Sequence, residues 1–330
     1  MTAPVLEIRN LTVEVPASGG TARILDRVSL SVNAGESVGI VGESGCGKSM
    51  TALAVMGLLP EAARATGTVR LAGQQILDLD DGMMSLVRGR VVSMVFQEPM
   101  TALNPVRNIG DQVAEGLRLH LGLSPGKARR EASSLLRRVG LPPERFSLDL
   151  YPHELSGGQR QRVVTAIALA CGPRLLIADE PTTALDVTIQ DQILDLLVRV
   201  AEEEGMALMM ISHDLGVIAE TTDRMSVMYA GRIVEEGTTA QVFSEMAHPY
   251  TRLLFAAMPA KGLIGGDGGR LATIPGQVPD PQERIRGCAF APRCPRARSH
   301  CSQRVPNAHA VGTRGHTARC FYPGHGEASV

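Results

Sequence analysis

The sequence predicts an α/β fold with a mainly parallel sheet. Three observations support this prediction. Short apolar runs alternate with segments of helical periodicity, which is the pattern of parallel strands joined by crossover helices. The runs are rich in Val, Ile, Leu and Met, as expected for strands that are buried on both faces. A glycine-rich segment lies between one such run and the helical segment that follows it.

The elements are predicted in order along the chain. Two β-rich runs separated by PASGG indicate an antiparallel β subdomain at the N-terminus. Buried strands are expected at residues 37–42, 90–96, 174–179, 206–212 and 225–229. A helix should begin near Lys48 and end before Pro60. From about 97 to 164 the periodicity is helical, which predicts an inserted helical subdomain.

Composition restricts the class of protein. The 330 residues carry a formal net charge of −1, so no overall field favours nucleic acid. No apolar run reaches the ~18 residues that a membrane-spanning helix needs. The N-terminal MTAPVLEIRN lacks the apolar segment of a secretory signal. We therefore expect a cytosolic protein whose thiols are reduced.

The composition changes after Met258. KGLIGGDGG is typical of a flexible linker, and the residues beyond it are rich in Pro, Arg and Cys without clear periodicity. We therefore predict one large domain over residues 1–260. A linker and a small Cys-rich C-terminal appendage are expected over residues 261–330.

A phosphate site is predicted where GESGCGKS follows a strand and opens a helix. The stretch matches G-x-x-x-x-G-K-[ST], whose backbone N–H groups and helix N-terminus surround phosphate. Lys48 is expected to reach the β- and γ-phosphates, and the Ser49 hydroxyl to bind Mg²⁺. A plain glycine-rich turn is the alternative. The other predicted nucleotide contacts in this loop are Gly42, Ser44, Gly45, Cys46, Gly47 and Met50.

The second half of the site is predicted in RLLIADEP. The apolar strand brings Asp179 to its carboxyl end, the edge where active sites of such sheets lie. Asp179 is expected to hold Mg²⁺, and Glu180 to polarise the attacking water. Phosphoryl transfer requires positioning, charge neutralisation and an oriented nucleophile, which these residues supply.

The stretch ELSGGQRQR opens another helix that is suited to phosphate, with Ser156, Gly157, Gly158 and Gln159 at its start. Together with the phosphate-binding loop and LLIADEPTTALD, it closely resembles the ATP-binding subunit of an ABC transporter. The resemblance implies an ABC-type P-loop NTPase core with an inserted helical signature subdomain. It also implies that the signature motif of one subunit closes over ATP that its partner's P-loop holds.

The resemblance assigns roles to further residues. Gln97 in VFQEP matches the residue that contacts Mg²⁺ and the membrane partner. Asp186 in TALD matches the D-loop, and His213 in ISHDL matches the switch histidine that contacts the γ-phosphate. Without the resemblance, the alternative interpretation is an ordinary loop amide for Gln97 and a structural histidine for His213. The family usually stacks an aromatic residue on adenine, and Val15 stands at that place here.

FQEPMTALNP, HPYTRLLFAAMP and IPGQVPD look like the dipeptide and oligopeptide import branch, and IADEPTTALD is closer to its D-type subunit. The resemblance implies a heterodimer with an F-type ATP-binding subunit at the cytoplasmic face of the inner membrane. The implied partners are two transmembrane permease subunits and, indirectly, an extracytoplasmic substrate-binding protein. Import of nickel or another small solute is the alternative within the branch. An ABC ATPase that acts on nucleic acid is a further alternative, which the scarcity of aromatic residues disfavours.

Four cysteines near the C-terminus, Cys288, Cys294, Cys301 and Cys320, predict a metal site. Disulfides are disfavoured in a reducing compartment, and the close cysteine pairs of structural zinc sites are missing. Four thiolates on longer loops suit an iron–sulfur cluster, and the resemblance also favours [4Fe–4S]. We therefore expect a cluster first, zinc second and unligated buried thiols third, with His300 and His309 as substitute ligands.

Overall fold

The computed structural model describes residues 3–18, 20–96, 102–182, 186–257, 273–283, 285–312 and 314–324. Its N-terminal part is an antiparallel sheet of four strands. They are β1 (Leu6–Ala17), β2 (Gly20–Val32), β4 (Arg64–Leu71) and β5 (Gln74–Gln75), in the order β2-β1-β4-β5. The long β1–β2 hairpin agrees with the two β-rich runs of the sequence.

The second sheet has a parallel centre. Its parallel strands are β3 (Ser37–Val41), β6 (Val92–Val95), β7 (Leu175–Asp179), β8 (Ala207–Ser212) and β9 (Arg224–Tyr229), in the order β9-β3-β8-β7-β6. The antiparallel strands β10 (Arg232–Thr238), β11 (His309–Ala310) and β12 (Thr317–Ala318) extend it beyond β9 in the order β11-β12-β10. The predicted α/β class is confirmed.

Helices cover this sheet and connect its strands. They are α1 (Lys48–Met56), α2 (Asp81–Val87), α3 (Ile109–Leu121), α4 (Pro125–Arg138), α5 (Gly157–Leu169), α6 (Val187–Glu204), α7 (Leu215–Thr221), α8 (Thr239–Glu245), α9 (Pro249–Ala256) and α10 (Ser299–Gln303). Helix α3 begins where the Asn108 side chain accepts a hydrogen bond from the Asp111 N–H. Ile109, Val113 and Leu117 form its buried face, and α3 packs against α4 and α5.

The central strands supply two hydrophobic cores because successive side chains point to opposite faces of a sheet. On β8, Met209 and Ile211 belong to the core under the N-terminal antiparallel sheet. Leu208 and Met210 belong to the core under the helices. Burial on both faces explains why this strand is an uninterrupted apolar run in the sequence.

The C-terminal region attaches to the same sheet through β12 and a buried histidine. His316 is fully buried, with Nε2 2.8 Å from Glu235 Oε1 and Nδ1 3.0 Å from Glu245 Oε2. Glu235 also accepts hydrogen bonds from the backbone N–H groups of Ala247 and His248. Across the residues described above, no helix is long and apolar enough to cross a membrane.

Candidate active site

The glycine-rich loop connects β3 to α1 at the carboxyl edge of the parallel strands. Gly42 has a φ of 155°, and a Cβ there would lie 2.2 Å from the carbonyl oxygen of Met228. Gly47 has a φ of 106° and would meet the Leu25 side chain at 2.7 Å. Only glycine fits this backbone path, so residues 42–47 wrap closely in front of the α1 N-terminus.

Lys48 occupies the inside of this loop. It is 5% exposed, and its Nζ donates to the carbonyl oxygens of Gly42 at 2.8 Å and Glu43 at 3.2 Å. The ammonium group therefore lies beside the backbone N–H groups that would surround a phosphate. Cys46 is fully buried, and burial raises the pKa of its thiol, so it remains neutral and unreactive.

Asp179 ends strand β7, and its carboxyl group is buried beside Ser49. Burial raises the pKa of Asp179, and the Ser49 hydrogen bond partly opposes that shift. Its Oδ1 has no hydrogen-bond partner among the described residues. A buried carboxylate oxygen without a partner, next to a hydroxyl group, is the oxygen donor set that Mg²⁺ prefers. The residues therefore fit the predicted ion.

Glu180 and His213 stand together at the ends of neighbouring strands. Glu180 follows β7 with a φ of 46°, and its N–H donates to the Ile211 carbonyl oxygen at 2.9 Å. His213 follows β8, and its Nδ1 lies 3.2 Å from Glu180 Oε1. The left-handed backbone at Glu180 is unusual for a residue with a side chain, and such residues concentrate at functional sites.

These groups share one open cleft of about 580 Å³. Its lining consists of Ile24, Ser44, Gly45, Gly47, Lys48, Ser49, Met50, Glu180 and His213. The structure thus brings most of the nucleotide contacts predicted in the glycine-rich loop together with the predicted base. Gly42 and Cys46 are buried in the same loop. Gln97 lies outside the described residues.

The predicted signature residues lie elsewhere on the chain, at the start of α5. Ser156 Oγ accepts from the Gln159 N–H at 3.3 Å, and Gln159 Oε1 accepts from the Ser156 N–H at 2.9 Å. Ser156 and Gly157 are exposed, and Gly158 packs so closely on Ile189 that a Cβ would lie 2.7 Å from it. The exposed Asp186 caps α6 through the Ile189 N–H.

Sequence reasoning missed two groups of residues at the site. The first is Ile24 on β2. It lines the cleft, whereas Val15, the residue at the expected adenine-stacking place, does not. Ile24 therefore offers apolar surface to the cleft. The second group consists of contacts to Glu43 in the loop. Its N–H donates to the Tyr250 hydroxyl, and its carboxylate accepts from Arg293. The alternation along β2 was a signal for Ile24, but no local pattern indicated the other three.

The four C-terminal cysteines do not form the predicted metal site. In the described ranges, no group of three or more His, Cys, Asp or Glu side chains is arranged to hold a metal ion. The thiols are free and line a cavity of about 20 Å³ beside aromatic rings. This is room for about one water molecule. The predicted [4Fe–4S] cluster of Cys288, Cys294, Cys301 and Cys320 is therefore wrong, as is the zinc alternative.

The physical reason is the lack of space, because the cavity that the four thiols line is far smaller than a four-iron cluster. Burial raises the pKa of Cys288 and Cys294, and raises that of Cys320 to about 11. Protonated thiols of this kind pack as small apolar groups beside the neighbouring aromatic rings. Nearby arginines act to lower the pKa values of Cys288 and Cys294, but burial has the larger effect.

We expect the purified protein to be colourless near 400 nm and to bind no stoichiometric iron. Cys294→Ala should lower the free energy of unfolding by about 1 kcal/mol, because it removes a partly buried thiol and its apolar contacts without exposing a charge. Iron and sulfide assays and thermal unfolding test this. A content of about four iron atoms per chain, lost in Cys294→Ala, would contradict it.

Comparison with known proteins agrees with this geometry. The ABC transporter family profile matches residues 25–183, and the oligopeptide/dipeptide transporter C-terminal region profile matches residues 234–301. A putative peptide import ATP-binding protein of Brucella abortus is 47% identical over 97% of this chain and 95% of its own length. A probable peptide ABC transporter ATP-binding protein of Sinorhizobium fredii is 46% identical over 96% of this chain and 94% of its own. A solved dimeric ATP-binding cassette with ADP and Pi, 30% identical, gives a TM-score of 0.64 over 71% of this chain and 98% of its own.

Proposed function

Because the chain belongs to the ATP-binding proteins of ABC transporters, we propose that it hydrolyses ATP to power the import of dipeptides or oligopeptides. The main support for ATP hydrolysis is the cleft that Lys48, Glu180 and His213 line together. The match of residues 234–301 to the oligopeptide/dipeptide transporter C-terminal region supports the peptide cargo. The names of the Brucella and Sinorhizobium relatives support the same cargo.

In the proposed reaction the glycine-rich loop holds the triphosphate and Glu180 polarises the attacking water. Lys48 exchanges the carbonyl oxygens of Gly42 and Glu43 for the β- and γ-phosphate oxygens. His213 keeps the Glu180 carboxylate in place and donates to the γ-phosphate. Each group supplies position or charge, which is what phosphoryl transfer requires from a protein.

Ser49 and Asp179 would hold Mg²⁺, and Gln97 is proposed to join them. When bound, the ion neutralises charge on the β- and γ-phosphate oxygens. The unpartnered Oδ1 of Asp179 supports this assignment.

We propose that two ATP-binding subunits complete each site together. Ser156 and Gly157 present an exposed helix N-terminus, which suits the phosphates of a nucleotide on a partner subunit. Gly158, Gln159 and Asp186 would complete that contact. The second subunit is proposed to be the F-type protein of the branch, and the dimeric state of the similar solved cassette supports such pairing.

The proposed assembly places the ATP-binding pair at the cytoplasmic face of the inner membrane. Two transmembrane permease subunits would form the path, and an extracytoplasmic substrate-binding protein would deliver the cargo. Within the chain, residues 1–260 would form the nucleotide-binding domain and residues 261–330 the C-terminal region. The family membership supports the permease partners.

Reconstitution of the chain with its partner subunits in vesicles tests the proposal. We expect uptake of a labelled dipeptide that requires ATP and the substrate-binding protein, with ATP hydrolysis rising when peptide is present. Stimulation by nickel alone would contradict the peptide cargo and leave the ATPase assignment intact. Stimulation by DNA or RNA without peptide uptake would contradict transport.

A further inference from the structure

A partly buried ion pair joins the glycine-rich loop to the C-terminal region across 250 positions of sequence. Arg293 lies at the end of a short 3₁₀ turn, Ala291–Arg293, and its side chain is 4% exposed. Its Nη1 donates to Glu43 Oε2 at 2.7 Å, and its Nη2 donates to Glu43 Oε1 at 2.9 Å. Glu43 is the second residue of the loop motif, so this bidentate contact reaches the phosphate site directly.

The other donors of Arg293 tie down the chain around it. Its Nε donates to the Pro275 carbonyl oxygen at 2.9 Å, and its Nη2 also lies 3.3 Å from the Ile274 carbonyl oxygen. The Tyr229 hydroxyl is 3.3 Å from Nη1. The hydrogen bond to Glu43 raises the pKa of Arg293, so the guanidinium remains charged despite its burial.

On the loop side, Glu43 is held at three points. Its backbone N–H donates to the Tyr250 hydroxyl at 2.9 Å, and its carbonyl oxygen accepts from Lys48 Nζ at 3.2 Å. Its carboxylate is held by Arg293. Tyr250 is itself fully buried, with its ring centroid 4.6 Å from that of Tyr229 and 5.4 Å from that of Phe290. The loop therefore rests on a packed aromatic wall that includes the C-terminal region.

We propose that Arg293 is a positioning residue of the ATP site and that the C-terminal region thereby forms part of that site. The arginine fixes Glu43, and with it the carbonyl oxygens around Lys48. It also neutralises a carboxylate in a loop that must bind a strongly anionic triphosphate. Without Arg293, the Glu43 carboxylate would repel the incoming phosphates and would lose its place. This inference rests on the proposed ATP binding of the loop.

ATP titration of the full chain, with KM and kcat measured separately, tests the proposal. Arg293→Met keeps the length of the side chain and removes its charge, so we expect KM for ATP to rise about tenfold with kcat changed less than about threefold. Glu43→Gln added to Arg293→Met removes the unpaired carboxylate and should recover most of that loss. A purely structural role of Arg293 predicts no such recovery.

Arg298→Met is the matched control. Arg298 lies in the same region and stacks over Tyr322, 4.2 Å from the ring centroid, so its loss should leave KM unchanged. A wild-type KM in Arg293→Met would overturn the inference, whereas a wild-type chain that binds no ATP would overturn the proposed function instead. If Arg293→Met does not fold, Arg293→Lys tests the inference instead, because lysine keeps the charge and loses the bidentate geometry. A rise in its KM of about threefold supports the inference, and an unchanged KM rejects it.

Discussion

Glu180→Gln is expected to lower ATP turnover about 10²- to 10³-fold while ATP binding is retained. The carboxamide has the shape of the carboxylate but cannot accept the proton of the attacking water. The backbone at this position is held by the hydrogen bond from the Glu180 N–H to Ile211, so the substitution should not move the loop. Lys48, Ser49 and Asp179 keep their contacts, and the nucleotide should therefore bind as before.

Two measurements check this expectation. Phosphate release gives turnover, and size-exclusion chromatography with ATP and the partner subunit should show accumulation of the closed pair. Glu220→Gln makes the same chemical change on the exposed surface of α7 and should leave turnover unchanged. Turnover of Glu180→Gln within about threefold of wild type would remove Glu180 from the role of base.

Much of the fold follows from local sequence. Strands β3, β7 and β8 are buried on both faces, so each is a continuous apolar run from which a buried strand can be predicted. The glycine-rich loop was recognisable because its φ values and close contacts exclude other residues at Gly42 and Gly47. β4 was not predicted, since RATGTVRL lies on the half-exposed N-terminal sheet and is mostly polar.

The contacts across the chain were beyond sequence reasoning. Nothing near Glu43 or Arg293 indicates that residues 250 positions apart form a partly buried pair. The cysteine prediction failed for a related reason. The spacing of the cysteines along the chain does not show that they line a cavity of only about 20 Å³ beside aromatic rings, which leaves no room for a cluster. Chemical motifs are local, whereas the surroundings that set their chemistry are not.

His213→Ala is expected to lower kcat about 100-fold with a much smaller change in KM. His213 Nδ1 is 3.2 Å from Glu180 Oε1, and its side chain is 66% exposed in the open cleft. Its loss removes both the contact that orients the base and a donor toward the γ-phosphate. These interactions strengthen as charge moves during phosphoryl transfer, so the loss falls on kcat.

The residues next to His213 hold the local fold without it, so His213→Ala should affect hydrolysis and not folding. The Asp214 N–H donates to Ser212 Oγ at 2.9 Å, and Asp214 Oδ1 accepts from the Gly216 N–H at 2.7 Å, so these residues hold the turn and cap α7. An exposed histidine between them contributes little to folding, and Ala should change the free energy of unfolding by less than about 0.5 kcal/mol. His213→Asn keeps a donor near the position of Nδ1 and should retain more turnover than Ala. Equal turnover in both variants and wild type would show that this histidine has no part in hydrolysis, and Glu180 would then have to be oriented by other groups of the cleft.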